Sequence, residues 1–229
     1  AHAAPFCPVC PHGVNVVYVQ VDAAFHADWM DRESVQSLNE LLRYSHVPMK
    51  VGVIHYDSQA VRIRLQMTEN VASARGPLNE PPYGHDPFGL VEEAAQEALG
   101  MLREEREGSR QGDDQCEFIV FFASTKNIFP DQEAAIRRAA QMIHRENVTL
   151  FVGCPETHPD YCDATEDMPR NRRFYTEAPD GGKLRRMVSD FMRDLEDEGE
   201  SQRLRSAIME QFVPSELTVD EYSFSQAPS

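Results

Sequence analysis

The chain lacks any apolar run near the roughly 20 residues that cross a bilayer, so no direct membrane span is expected. Basic residues are scarce: 22 Lys and Arg stand against 38 Asp and Glu, a net charge of −16. Such a surface repels phosphates and anionic lipid, which excludes nucleic acid as a partner. There is no Gly-rich phosphate loop and no G-x-S-x-G elbow for a serine nucleophile. Cysteine is sparse too. Cys7, Cys10, Cys116, Cys154 and Cys162 are too few for a disulfide scaffold, and the odd count leaves one unpaired or bonded to another chain. Cys7-Pro8-Val9-Cys10 is a C-x-x-C, but it precedes the first strand, whereas a redox pair opens a helix. Pro11 separates Cys10 from His12, which rules out haem attachment, and no second ligand pair follows for zinc. His46, His55, His85, His144 and His158 show no paired metal spacing on a helix, and each reads as a surface or satisfied core residue. No catalytic constellation is left, and the chain is not expected to be an enzyme.

What is present describes an α/β protein. The 229 residues are 41% hydrophobic, enough for a sizeable core and one α/β domain with extensions. The chain starts Ala1-His2-Ala3, the small-residue pattern of a signal-peptidase cut or a chance alanine cluster. Val14 to Val21 (VNVVYVQV) reads as a buried, mostly apolar strand running into Asp22, as a parallel sheet presents a functional loop at its carboxyl edge. Residues 28–46 carry a helical stripe of Val35, Leu38, Leu41 and Leu42, stopped at Pro48. Met49–Tyr56 and Ala60–Leu65 flank Asp57-Ser58-Gln59 and read as a hairpin, the second strand a half-exposed edge.

Residues 68–87 read as irregular, followed by a helix over 88–107, an apolar strand Phe118–Phe122 and a helix over 131–145. Thr149–Gly153 is a further apolar strand, and Arg173–Thr176 a short one. Leu184, Val188, Phe191 and Leu195 mark the last strong helix, entered by a turn at Gly181-Gly182. Strands alternating with helices predict a doubly wound, mostly parallel sheet with one antiparallel edge strand and helices on both faces. The expected organisation is an N-terminal Cys/Pro arm over 1–13, a domain over 14–200 and an extension over 201–229, extended toward its end. Residues 201–212 read as either helix or strand. Asn147-Val148-Thr149 fits a glycosylation sequon at the start of a strand.

The order β, α, β, β, α, β, α, β, α, with NVVYVQVD, MKVGVIHYDSQA, FGLVEEAAQEAL, EFIVFFAS and VTLFVGC, resembles a von Willebrand factor A domain over about residues 14 to 197. The resemblance implies a cation site at the top of the sheet, the metal-ion-dependent adhesion site, built from Asp-x-Ser-x-Ser, a Thr and a later Asp. Here those positions fall on Asp22, Ala24, His26, Asp86 and Ser124. Ala24 offers no oxygen and Ser124 removes a carboxylate, so the site is read as degenerate and no Mg²⁺ is expected. The alternative is a divalent transition metal held by Asp22, His26 and Asp86 in a ligand-binding domain. In this fold the first and central strands are neighbours, which puts Cys116 within reach of Cys10 or Cys7. Cys154 and Cys162 would staple a local loop.

The resemblance implies a non-catalytic adhesion or protein–protein interaction module, a structural subunit of an extracytoplasmic (secreted, periplasmic or cell-surface) assembly. Its partners would be proteins, met at the top of the sheet and through the C-terminal arm. In that arm Leu217, Val219, Tyr222 and Phe224 are too apolar to sit idle in water and are expected to dock on a sheet edge.

Overall fold

The structure, a computed structural model, describes residues 13–22, 27–44, 46–81, 89–109, 116–124 and 130–211. β1 (Val14–Val21) is buried along its whole length. It lies between β2 (Met49–Tyr56) and β4 (Cys116–Phe122), parallel to both. β3 (Val61–Thr68) closes one edge antiparallel to β2, and β5 (Thr149–Cys154) and the short β6 (Tyr175–Glu177) close the other. The order is β3-β2-β1-β4-β5-β6. The strand order reverses between β1 and β4, so their carboxyl ends form the topological switch point where such sheets place their sites.

The strands are apolar because both faces are covered. On one face α1 (Ala27–Arg43) packs beside α5 (Lys183–Gln211); α3 (Val91–Gly108) and α4 (Pro130–Arg145) pack together on the other. Alternation along β1 sorts its side chains. Tyr18 Oη and Ser37 Oγ of α1 are 2.8 Å apart, and Gln20 Nε2 donates to Ser34 Oγ at 2.9 Å. On the opposite face, Gly52 leaves room for Met101 of α3: a Cβ there would stand 2.5 Å from Met101 Cε, and that side chain would have to shift. Phe118, Phe151, Phe174 and Phe191 form an edge-to-face cluster with ring centroids 4.9–5.5 Å apart, which pins α5 to β4 and β5.

The structure corrects several local expectations. β3 runs three residues beyond Leu65, to Thr68, accommodated by irregularities in its pairing with β2 around Val53. Residues expected to be irregular contain a 3₁₀ turn, Val71–Ala74, and a short helix α2, Arg75–Leu78, because Val71, Ala74 and Leu78 bury one face. Residues 201–211, read from the sequence as either helix or strand, continue α5 as helix. Gln202, Leu204, Arg205, Ala207 and Met209 are good helix formers, and that propensity prevails over the polar break before them. Among the described residues, no helix is long and apolar enough to cross a membrane. Cys154 and Cys162 are joined, and Cys116 is also disulfide-bonded, its partner outside the described residues.

Candidate functional site

Because β1, β2 and β4 are parallel, Asp22, the end of β2 and Ser124 arrive at one edge of the sheet. The antiparallel β3 starts there, which adds Arg62. Asp22 is held by its own backbone N–H, which donates to the Tyr56 carbonyl at 2.7 Å. Its carboxylate is buried. Oδ1 stands 3.4 Å from His55 Nδ1, and Oδ2 stands 3.7 Å from Arg62 Nη1. The same Arg62 nitrogen donates to Asp57 Oδ2 at 2.8 Å.

Asp57 also builds the turn. Its Oδ1 accepts from the Gln59 and Ala60 amides at 2.7 and 2.8 Å, an Asx turn that sets the β2–β3 register. That register places His55 opposite Arg62. Burial by itself would raise the Asp57 carboxyl; the two amides and the Arg62 guanidinium outweigh it and hold the group below its usual value. Residue 89 must be glycine, since a Cβ there would lie 2.3 Å from the Tyr56 ring.

Two side chains in this cluster are short of partners. Asp22 Oδ2 has no hydrogen bond, and neither ring nitrogen of the buried His55 has one. His55 is therefore not the satisfied core residue expected from the sequence; its surroundings are charged but offer no aligned donor or acceptor. A third carboxylate, Asp31 of α1, feels the same field. Burial, then the charges of Asp28 and Asp22, push it up to about 7. Asp31 lines a hollow of about 370 Å³ with Asp28, Arg32 and Arg75. A larger cleft of about 490 Å³ opens at the opposite, amino edge, between Leu41, Val47, Met49 and Val71.

Of the residues singled out in the sequence, Asp22 and the buried Ser124 stand at the carboxyl edge. His26 and Asp86 lie outside the described residues, as do Cys7, Cys10 and the arm residues Leu217, Val219, Tyr222 and Phe224. His55, Asp57, Arg62 and Asp31 were not foreseen. One signal was available for them: His55 is an ionisable residue near the end of a mostly apolar strand, two positions before the turn at Asp57.

No family model and no curated protein matches the sequence. Solved structures do match. The manganese-loaded TRAP protein of Plasmodium vivax superposes with a TM-score of 0.56 at 15% identity, over 80% of this chain and 74% of that one. The VWA domain of SpRpn10 gives 0.54 at 12% identity, over 77% and 94%. Proximal thread matrix protein 1 of the mussel byssus gives 0.53 at 10% identity, over 77% of this chain but 46% of its own, so the present chain spans about half of that protein. The chain thus carries a von Willebrand A-like domain.

The byssus protein is also known with a zinc-occupied MIDAS motif. Of the motif positions singled out in the sequence, Asp22 and Ser124 are among the described residues; Asp22 turns one oxygen to the His55 ring and the other toward a guanidinium. Among the described residues, no three His, Cys, Asp or Glu side chains converge on one point.

Proposed function

We propose that this chain is a non-catalytic interaction module of the von Willebrand A type, working in an extracytoplasmic assembly. The observation that carries the reading is a von Willebrand A-like sheet whose switch-point edge holds, among the described residues, a buried charge cluster of Asp22, His55 and Asp57 with Arg62 at its rim. The disulfide-bonded Cys154, Cys162 and Cys116 support an oxidising compartment. One structural neighbour is a matrix protein of a byssal thread, a setting that suits a load-bearing or adhesive subunit.

In this reading partners meet the carboxyl edge of the sheet and the C-terminal arm. The arm docks through Leu217, Val219, Tyr222 and Phe224 on the edge of a neighbouring sheet, which gains backbone hydrogen bonds and covers apolar side chains. β3 offers such an edge, with Ile63 36% exposed. Sedimentation of the full chain and of a variant lacking residues 214–229 tests the arm. The deletion is expected to weaken association while the melting temperature holds. A melting temperature that falls with the deletion would assign the arm to the domain core and overturn its docking role.

A further inference from the structure

We infer that Arg62 is the resident cation of the sheet's carboxyl edge, a protein-borne charge standing where this fold can hold a metal ion. The inference deepens the interaction reading, on which it rests for its consequence: contacts at this edge need no divalent cation.

The geometry separates this role from an ordinary surface ion pair. One guanidinium nitrogen addresses two carboxylates that come from different strand ends, Asp57 after β2 at 2.8 Å and Asp22 after β1 at 3.7 Å. Both carboxylates are almost wholly buried: Asp22 is 2% exposed and Asp57 4%. A buried carboxylate without compensation is costly. Asp57 is compensated by two turn amides as well as by Arg62. Asp22 Oδ2 has no hydrogen bond, so the guanidinium is its nearby positive charge.

Arginine suits the position. It stays charged at any working pH, and one of its nitrogens donates to Asp57 while standing near Asp22. Its side chain is 34% exposed, so it enters from the rim and leaves the carboxylates inside, as a bound ion would. The hairpin makes this possible. The Asx turn at Asp57 fixes the register, and the register delivers Arg62 beside His55 and Asp22. A divalent ion at Asp22 would have to displace the guanidinium and recruit oxygens that Ser124 cannot replace with charge.

The test is thermal melting of the full chain, which requires no partner. The wild type is expected to melt at the same temperature with chelator, Mg²⁺ or Mn²⁺. Arg62→Ala should melt lower by about 5 °C, and low-millimolar guanidinium chloride should restore part of that loss by refilling the vacancy between Asp22 and Asp57. Arg62→Ala combined with Asp22→Asn should lose less than the two single variants added together, because the second change removes the charge that Arg62 balances. Should Arg62→Ala fail to fold, Arg62→Gln, which removes the charge but keeps most of the side chain's bulk, carries the same cycle. A wild-type melting temperature raised by Mn²⁺ or Mg²⁺ and no longer raised in Asp22→Asn would overturn the inference. So would strictly additive losses. Either result leaves the arm's sedimentation data standing, so failure here is distinguishable from failure of the interaction reading.

Discussion

Replacing Asp31 with Asn should stabilise the protein above neutral pH and do little near pH 4. In the folded chain its carboxyl sits at about 7, against 3.8 when free, raised first by burial and then by Asp28 and Asp22. The unfolded chain therefore releases this proton near pH 4, while the folded chain keeps it until about pH 7. Between those values the folded state binds more protons, so stability falls as pH rises and the loss is complete above pH 7. At face value the displacement corresponds to roughly 4 kcal/mol. Asp31 is only partly buried, and solvent screening leaves an expected gain of about 1–2 kcal/mol at pH 8. A loss of about 0.3–1 kcal/mol from removing a negative charge near the start of α1 opposes it. Urea unfolding of wild type and Asp31→Asn at pH 4.5 and pH 8 measures the difference. A stability difference that stays constant across that range would refute the raised Asp31 carboxyl.

Two further perturbations probe the scaffold. Phe151→Ala removes the ring shared by Phe118, Phe174 and Phe191, and chemical denaturation should show a loss of about 3–5 kcal/mol; a loss near zero would mean α5 is held by other contacts. Cys154→Ser with Cys162→Ser opens a loop of sequence separation 8 and should cost about 2–3 kcal/mol in the chain-entropy account, read as a lower denaturation midpoint; an unchanged midpoint would show that the bridge adds nothing.

Much of the scaffold was legible in the sequence because burial writes a local pattern. β1, β4 and β5 are mostly apolar runs, since both of their faces are covered, and the helices repeat their apolar residues every three or four positions. Asp22 could be placed at the head of the sheet from its position after such a run, and Ser124 likewise. The helical turns over 71–78 and the continuation of α5 to Gln211 were not legible. The first is a short stretch whose buried face depends on the sheet beneath it, and the second follows a polar interruption that resembles an end.

The sequence by itself determined the order of the elements, the parallel sheet and the carboxylate at its switch point, because each follows from neighbours along the chain. Only the tertiary structure decided what that carboxylate faces. Asp22, His55, Asp57 and Arg62 belong to three strand ends, and they meet because the Asx turn at Asp57, one carboxylate oxygen accepting two amides, sets the β2–β3 register and parallel pairing sets the height of Asp22 beside it. Period and composition encode which face of an element is buried. They carry no information about which ionisable side chains, far apart in sequence, are brought within a few ångströms at the rim, and that convergence sets the charge of the site.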